Sequence, residues 1–260
     1  MMRSISSRDD RIRRILRKAF IAAIWLLLWY ALYAFVGQEI LFVSPVRVLT
    51  RLFELAGEGA FWVSTLASLF RIVLGFLLAV ALGVAVAVLA TVSAFVHDLF
   101  YPVIRVVRAT PVASFIILAL IWLSEGTVPV FTAFLMVFPI VWENVFKGIQ
   151  NTSGKLLEMS KVFRFTKVQK LKRIYIPSVM PYFVAACNIG IGLAWKAGIA
   201  AEVLGIPKNS IGKELYSAKI YLETPDVFAW TAVVILLSFA LEKGFILLLK
   251  KAGQKYNVGD

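Results

Sequence analysis

Apolar residues in this chain run in unbroken blocks of about twenty, and no other feature restricts the fold as strongly. A helix needs about 20 residues to cross a ~30 Å hydrocarbon core. Six blocks can be marked, at about 19–37, 61–90, 101–123, 128–149, 178–200 and 227–249. A transmembrane barrel would instead show shorter segments of alternating polarity. The pattern predicts an all-α polytopic membrane protein with about six transmembrane helices. Composition agrees, because 60% of residues are hydrophobic and 17% charged, against about half and a quarter in soluble domains.

Charge between the blocks is lopsided. One set of connecting segments holds Arg3, Arg8, Arg11, Arg13, Arg14, Arg17 and Lys18 at the start, a basic loop in the middle, and Lys250, Lys251 and Lys255 at the end. The other set has Arg47, Arg51, Lys208, Lys213 and Lys219, offset by Glu39, Glu54, Glu58, Glu202, Glu214, Glu223 and Asp226. Basic loops stay on the cytoplasmic side, so both termini and the basic loop are expected in the cytoplasm. The formal net charge of +13 is thereby a matter of topology, and no nucleic-acid partner is expected.

The first apolar run is too long for a signal-peptide core and lacks a small-x-small cleavage site after it. It reads as a retained span behind a basic leader, residues 1–18. Residues 19–250 then form one transmembrane domain, and 251–260 a cytoplasmic tail. In the first outer loop Ser44 can cap a helix that begins at Pro45. Leu49, Leu52, Phe53 and Ala56 follow at helical spacing, predicting an amphipathic helix at the outer interface.

Two spans carry small residues every fourth position: Gly75, Ala79, Gly83 and Ala87 in the second, and Ala186, Gly190, Ala194 and Gly198 in the fifth. Such stripes let helix backbones approach closely in lipid. Packing within the chain accounts for the second. For the fifth, a subunit interface or a solute pathway is an equal alternative.

Chemistry of other kinds is poorly supplied. One cysteine, Cys187, and one histidine, His97, cannot build a disulfide or a metal cluster. His97 reads as a surface histidine in a short cytoplasmic turn beside Asp98. The phosphate-cradling pattern G-x4-G-K-S/T is missing, since Gly154-Lys155 leads to Leu156 and Gly212-Lys213 to Glu214. An enzyme active site is not expected, and no cofactor is expected in this chain. Charges within spans are costly and mark function by default. That makes Arg71, Glu143, Lys196 and the central Asn188 candidates for a pathway, with Glu202 at the outer mouth as a gate candidate.

The basic segment at about 150–177 carries six Lys or Arg between Leu156 and Pro177, against the single acid Glu158. Lys155 to Phe163 reads as one short helix with Leu156, Met159 and Phe163 on one face, and Lys167 to Tyr175 as a second. Contact with anionic lipid would account for the charge, but not for Glu158 or for Pro177 at the start of the next span. Glu158, Ile174 and Pro177 fit the pattern E-A-A-x3-G-x9-I-x-L-P without a gap. This resembles the signature loop of permease subunits of ABC importers. Met159 and Ser160 stand for the two alanines, Arg164 for the glycine and Ile176 for the leucine. The segments "SPVRVLTRLF", "SLFRIVLGF", "FPIVWENVFKGI" and "AEVLGIPKNSIGKEL" also resemble, in order, the subgroup that imports nitrate, sulfonates, taurine, bicarbonate or vitamin precursors.

The resemblance implies a type I importer permease in a bacterial or archaeal cytoplasmic membrane, working as a homodimer. It implies two copies of a separate ATPase that holds ATP and Mg, and an extracytoplasmic solute-binding protein. Coupling to the ATPase would fall to Leu156, Leu157, Glu158, Met159, Ser160, Phe163, Arg164, Ile174 and Pro177. A secondary transporter would show inverted repeats and discontinuous helices, neither of which is visible in the sequence. A non-transporting membrane scaffold is the other alternative.

Overall fold

The computed structural model describes the backbone of residues 4–253 and the side chains of residues 13–247. Most of the leader, and the tail 251–260 with its lysines, therefore lie outside the described side chains. Helix is the only regular structure among the described residues. Five helices are long and apolar enough to span a membrane, and a bent pair makes a sixth crossing possible.

The core is a layer of three long helices. α3 (Gly59–Val92) and α9 (Ile176–Gly205) both pack on α6 (Val128–Gln150). Side chains from all three interlock around Ile72, Phe76, Val137, Val141, Ala186 and Trp195, all buried. The small-residue stripes bring the backbones together. A Cβ on Gly75 would lie 2.3 Å from the Val130 carbonyl oxygen, and one on Gly83 would lie 3.0 Å from the Val141 Cβ. On α9, a Cβ on Gly190 would meet Val137 at 3.0 Å and one on Gly198 would meet Ile72 at 2.5 Å. Ala79, Ala186 and Ala194 are wholly buried in the same seams. Both stripes thus face neighbours within the chain, with α6 as the shared partner.

The other elements frame this layer. α1 (Ser4–Val36) lies at the edge and is anchored where the Trp29 indole donates to the Val43 carbonyl at 3.0 Å. α2 (Pro45–Ala56) has the expected cap, with Ser44 Oγ accepting from the Arg47 amide at 3.2 Å. Its buried residues are Val48 and Leu55, whereas Leu49 and Phe53 of the expected stripe point outward. The Arg51 guanidinium ties α2 to α11 (Thr224–Gly253) through two bonds to Asp226, at 2.5 and 2.9 Å. That pairing holds the Arg51 charge more firmly than usual.

The third crossing departs from the expected straight span at 101–123. It consists of α4 (Ala94–Ala109) and α5 (Val112–Trp122), bent by 109° at Thr110-Pro111. Proline lacks the amide needed to continue a helix and drives its predecessor to extended backbone. Thr110 accordingly sits at φ −88°, ψ 134°. A discontinuous helix is therefore present where one straight span is expected from the sequence.

The basic segment departs in a second way. α7 (Gly154–Val162) is a separate short helix, but α8 (Lys167–Lys170) runs without interruption through a π-helical turn, Leu171–Tyr175, into α9. Pro177 thus stands inside a continuous helix of 39 residues, Lys167–Gly205, and does not begin it. The wide turn lets the chain pass a residue that has no amide and would crowd the preceding carbonyl.

Candidate functional site

α7 projects from the end of the bundle where α3 and α6 meet the basic segment. Leu156, Met159, Val162 and Phe163 are exposed on it, and Val168 and Leu171 are exposed beyond the turn. Leu157 is half-buried, and Ser160 is wholly buried with its hydroxyl donating to the Leu157 carbonyl at 2.6 Å. Ile174 is also buried and roots the second arm in the bundle. Glu158 lies exposed and takes no ion pair among the described residues. The result is an apolar tip with a carboxylate at its side.

The bend between the arms is closed by backbone geometry. Arg164 adopts φ +51°, the left-handed region where glycine is favoured. Its amide donates to the Lys161 carbonyl at 3.1 Å, and the Phe165 amide reaches back to Ser160 at 2.9 Å. This pair of bonds is the Schellman closure of a helix. Arginine therefore occupies the glycine conformation that the pattern calls for. Thr166 and Gln169 then cap the second arm reciprocally, at 2.8 and 3.2 Å.

Candidates read from the sequence as pathway residues separate into different places. Arg71 and Glu202 meet at the opposite end of the bundle, 3.3 Å apart. Glu202 is fully buried and also accepts from Ser68 Oγ at 2.6 Å and from the Gly212 amide at 3.3 Å. Ser68 Oγ in turn accepts from the Ile211 amide at 2.9 Å. Arg71 completes the knot by donating to the carbonyls of Lys208 and Asn209 at 2.9 and 3.0 Å. One carboxylate thus joins α3, α9, the 206–210 loop and the start of α10 (Ile211–Ile220). Backbone contact is close here, since a Cβ on Gly212 would lie 2.3 Å from the Glu202 Cβ.

Glu143 belongs to the other end, paired with Arg108 of α4 and with Lys147 Nζ at 2.7 Å. Asn188 is half-buried on α9, and its side-chain oxygen is buried without a hydrogen-bond partner among the described residues. Lys196 is exposed on α9 and takes no ion pair among the described residues. Sequence reading had assigned no role to Ser68 or Gly212, which complete the Glu202 knot. It also missed the setting of His97, whose ring stacks on Tyr101, Trp142 and Phe146. His97 is thus part of an aromatic cluster and not a bare surface residue.

Residues 79–243, which include the projecting loop, match the family described as binding-protein-dependent transport system inner membrane component. The chain belongs to this family. Among similar proteins, the taurine transport system permease protein TauC of Escherichia coli (strain K12) is 27% identical over 236 residues, covering 88% of this chain and 86% of that protein. The nitrate import permease protein NrtB of Synechocystis is 28% identical over 237 residues, covering 86% and 85%. The putative aliphatic sulfonates transport permease protein SsuC of Bacillus subtilis is 26% identical over 209 residues, covering 80% and 75%.

A solved structure of the MetNI methionine ABC transporter, in inward-facing conformations, has the same fold at a TM-score of 0.53 and 13% identity. It covers 73% of this chain and 93% of that chain. This inner-membrane component is a multi-pass permease subunit of the ABC importer type, and its relatives are named as transport permeases.

Proposed function

We propose that this permease forms a solute pathway as a homodimer and is driven by two copies of a separate ATPase docked on the 156–177 loop. The observation that carries the reading is the α7 tip, where Leu156, Met159, Val162 and Phe163 stand exposed beside Glu158, which takes no ion pair among the described residues. Apolar side chains grouped on a projecting helix gain from burial against a partner. The left-handed Arg164 and the buried Ile174 fix the angle at which the tip is offered.

ATP and Mg belong to the partner, and this chain performs no hydrolysis. An extracytoplasmic binding protein delivers solute to the end that carries the Arg71–Glu202 knot. Both termini are cytoplasmic, with residues 1–18 as leader, 19–250 as the one permease domain and 251–260 as tail. ATP-driven closure of the ATPase pair pulls the α7 helices together. The continuous helix from Lys167 to Gly205 carries that movement through the membrane. Glu202 and Arg71, which join α9 to α3 and the outer loop, move with its far end and act at the outer gate.

The similarity to permeases named for taurine, nitrate and aliphatic sulfonates supports a small nutrient of the nitrate, sulfonate, taurine, bicarbonate or vitamin-precursor class. Uptake of labelled taurine and of nitrate by cells lacking the gene, complemented with wild type or Glu158→Lys, tests the reading. Loss of uptake at unchanged membrane abundance in the variant supports it. Full uptake by Glu158→Lys refutes the assignment of the loop.

A further inference from the structure

A polar cavity lies between α4 and α6, at the end of the bundle that carries the basic loop. Its volume is about 360 Å³, and its lining includes Arg105, Arg108, Lys147 and Glu143. Three permanent cations face one carboxylate, which leaves a net charge of +2. Glu143 is engaged by Arg108 and Lys147. Arg105 meets no carboxylate within ion-pairing distance among the described residues, and its guanidinium lies 4.8 Å above the Tyr101 ring.

Glu143 sits seven residues before the end of α6, which at 1.5 Å per residue is about 10 Å inside it. Arg105, Arg108 and Lys147 are all exposed, so an incoming anion can reach each of them. Besides Ile104 and Gln150 the remaining wall is aromatic: Trp142 and Phe146 stack at 5.4 Å with an interplanar angle of 5°, and His97 lies against both.

We propose that this cavity binds an oxyanion, a phosphate or sulfonate group attached to a small organic body. Arg105 supplies the planar donor fork that suits such a group, and Arg108 and Lys147 add charge while keeping Glu143. The aromatic wall receives the organic part. Basic pockets between membrane helices on the cytoplasmic side hold anionic headgroups by the same chemistry. The cytoplasmic placement rests on the orientation proposed above. The oxyanion has two sources, a phospholipid headgroup or a free solute anion leaving the pathway.

The test uses the purified full-length protein in phosphatidylcholine nanodiscs. Methanesulfonate and inorganic phosphate are titrated separately at constant ionic strength, with tryptophan emission as the readout. The free-anion source predicts a saturable change that disappears in Trp142→Phe and weakens at least tenfold in Arg105→Gln. The lipid source predicts no such response. Instead, native mass spectrometry from mixed phosphatidylglycerol–phosphatidylcholine nanodiscs would show retained phosphatidylglycerol, reduced in Arg105→Gln and partly restored in Arg105→Lys. Neither anion response nor selective phosphatidylglycerol retention in the wild-type protein overturns the proposal, as does binding unchanged in Arg105→Gln. Because no ATPase is required, failure here is distinct from failure of the coupling loop.

Discussion

Glu202→Ala tests how much of the structure hangs on one buried carboxylate. In the wild type Glu202 accepts from Ser68, Gly212 and Arg71, and it has no solvent exposure. Removing it leaves the Gly212 amide without its acceptor. Each buried group left unpaired costs about 1–3 kcal/mol. Ser68 loses less, because its hydroxyl can turn and its oxygen still accepts from the Ile211 amide. Arg71 also keeps two carbonyl partners, Lys208 and Asn209, so the full ~3–5 kcal/mol of a broken buried ion pair does not apply to it.

The losses together come to about 3 kcal/mol by that reckoning. At about 2–4 °C per kcal/mol for a chain of this size, the melting midpoint falls by roughly 10 °C. Glu202→Gln retains one acceptor oxygen and loses about half as much. The assay is thermal unfolding of detergent-purified protein, followed by loss of monodispersity on size exclusion. A midpoint within 2 °C of wild type for Glu202→Ala would refute the knot as a structural join.

Four further outcomes follow from the backbone. Gly75→Ala should cost about 1–3 kcal/mol, because the added Cβ meets a carbonyl oxygen that cannot move aside. Gly126→Ala should be nearly neutral in the same thermal assay, since nothing lies within 4 Å of that position. Arg164→Gly should relieve about 1 kcal/mol of left-handed strain and slow hydrogen exchange at the Phe165 amide about fivefold, whereas Arg164→Val should speed it. Pro177→Ala restores an amide next to the π-helical turn and should slow exchange at Tyr175 and Ile176. Unchanged exchange there would mean that burial of Ile174, and not the proline, holds the turn open.

Features carried by one stretch of chain were legible in the sequence. Apolar blocks located the spans because spanning helices must satisfy their backbone internally and cover their length in apolar residues. The order Glu158, Ile174, Pro177 gave the register of the projecting loop, and spacing alone gave both small-residue stripes. What stayed hidden depended on contacts across the chain or on a single local event. Arg105, Arg108, Thr110 and Pro111 interrupt the apolar run, but reading 101–123 as one straight span passed over the 109° bend that they mark. Pro177 read as a helix start, yet a π-helical turn allows it to lie within one. Ser68, Gly212 and Glu202 are separated by up to 144 positions, and only folding brings them to one point. His97 read as exposed because its aromatic neighbours on α6 lie about forty-five residues on.

The most direct test of the account is the composition of the complex. The tagged permease, expressed in its native host and extracted in mild detergent, would be purified with and without Glu158→Lys and its partners identified by mass spectrometry. The account predicts a stoichiometric ATPase subunit that disappears in the variant while the permease remains at wild-type abundance. An ATPase retained in full by Glu158→Lys, or none with the wild type under conditions that keep a known importer intact, would contradict it.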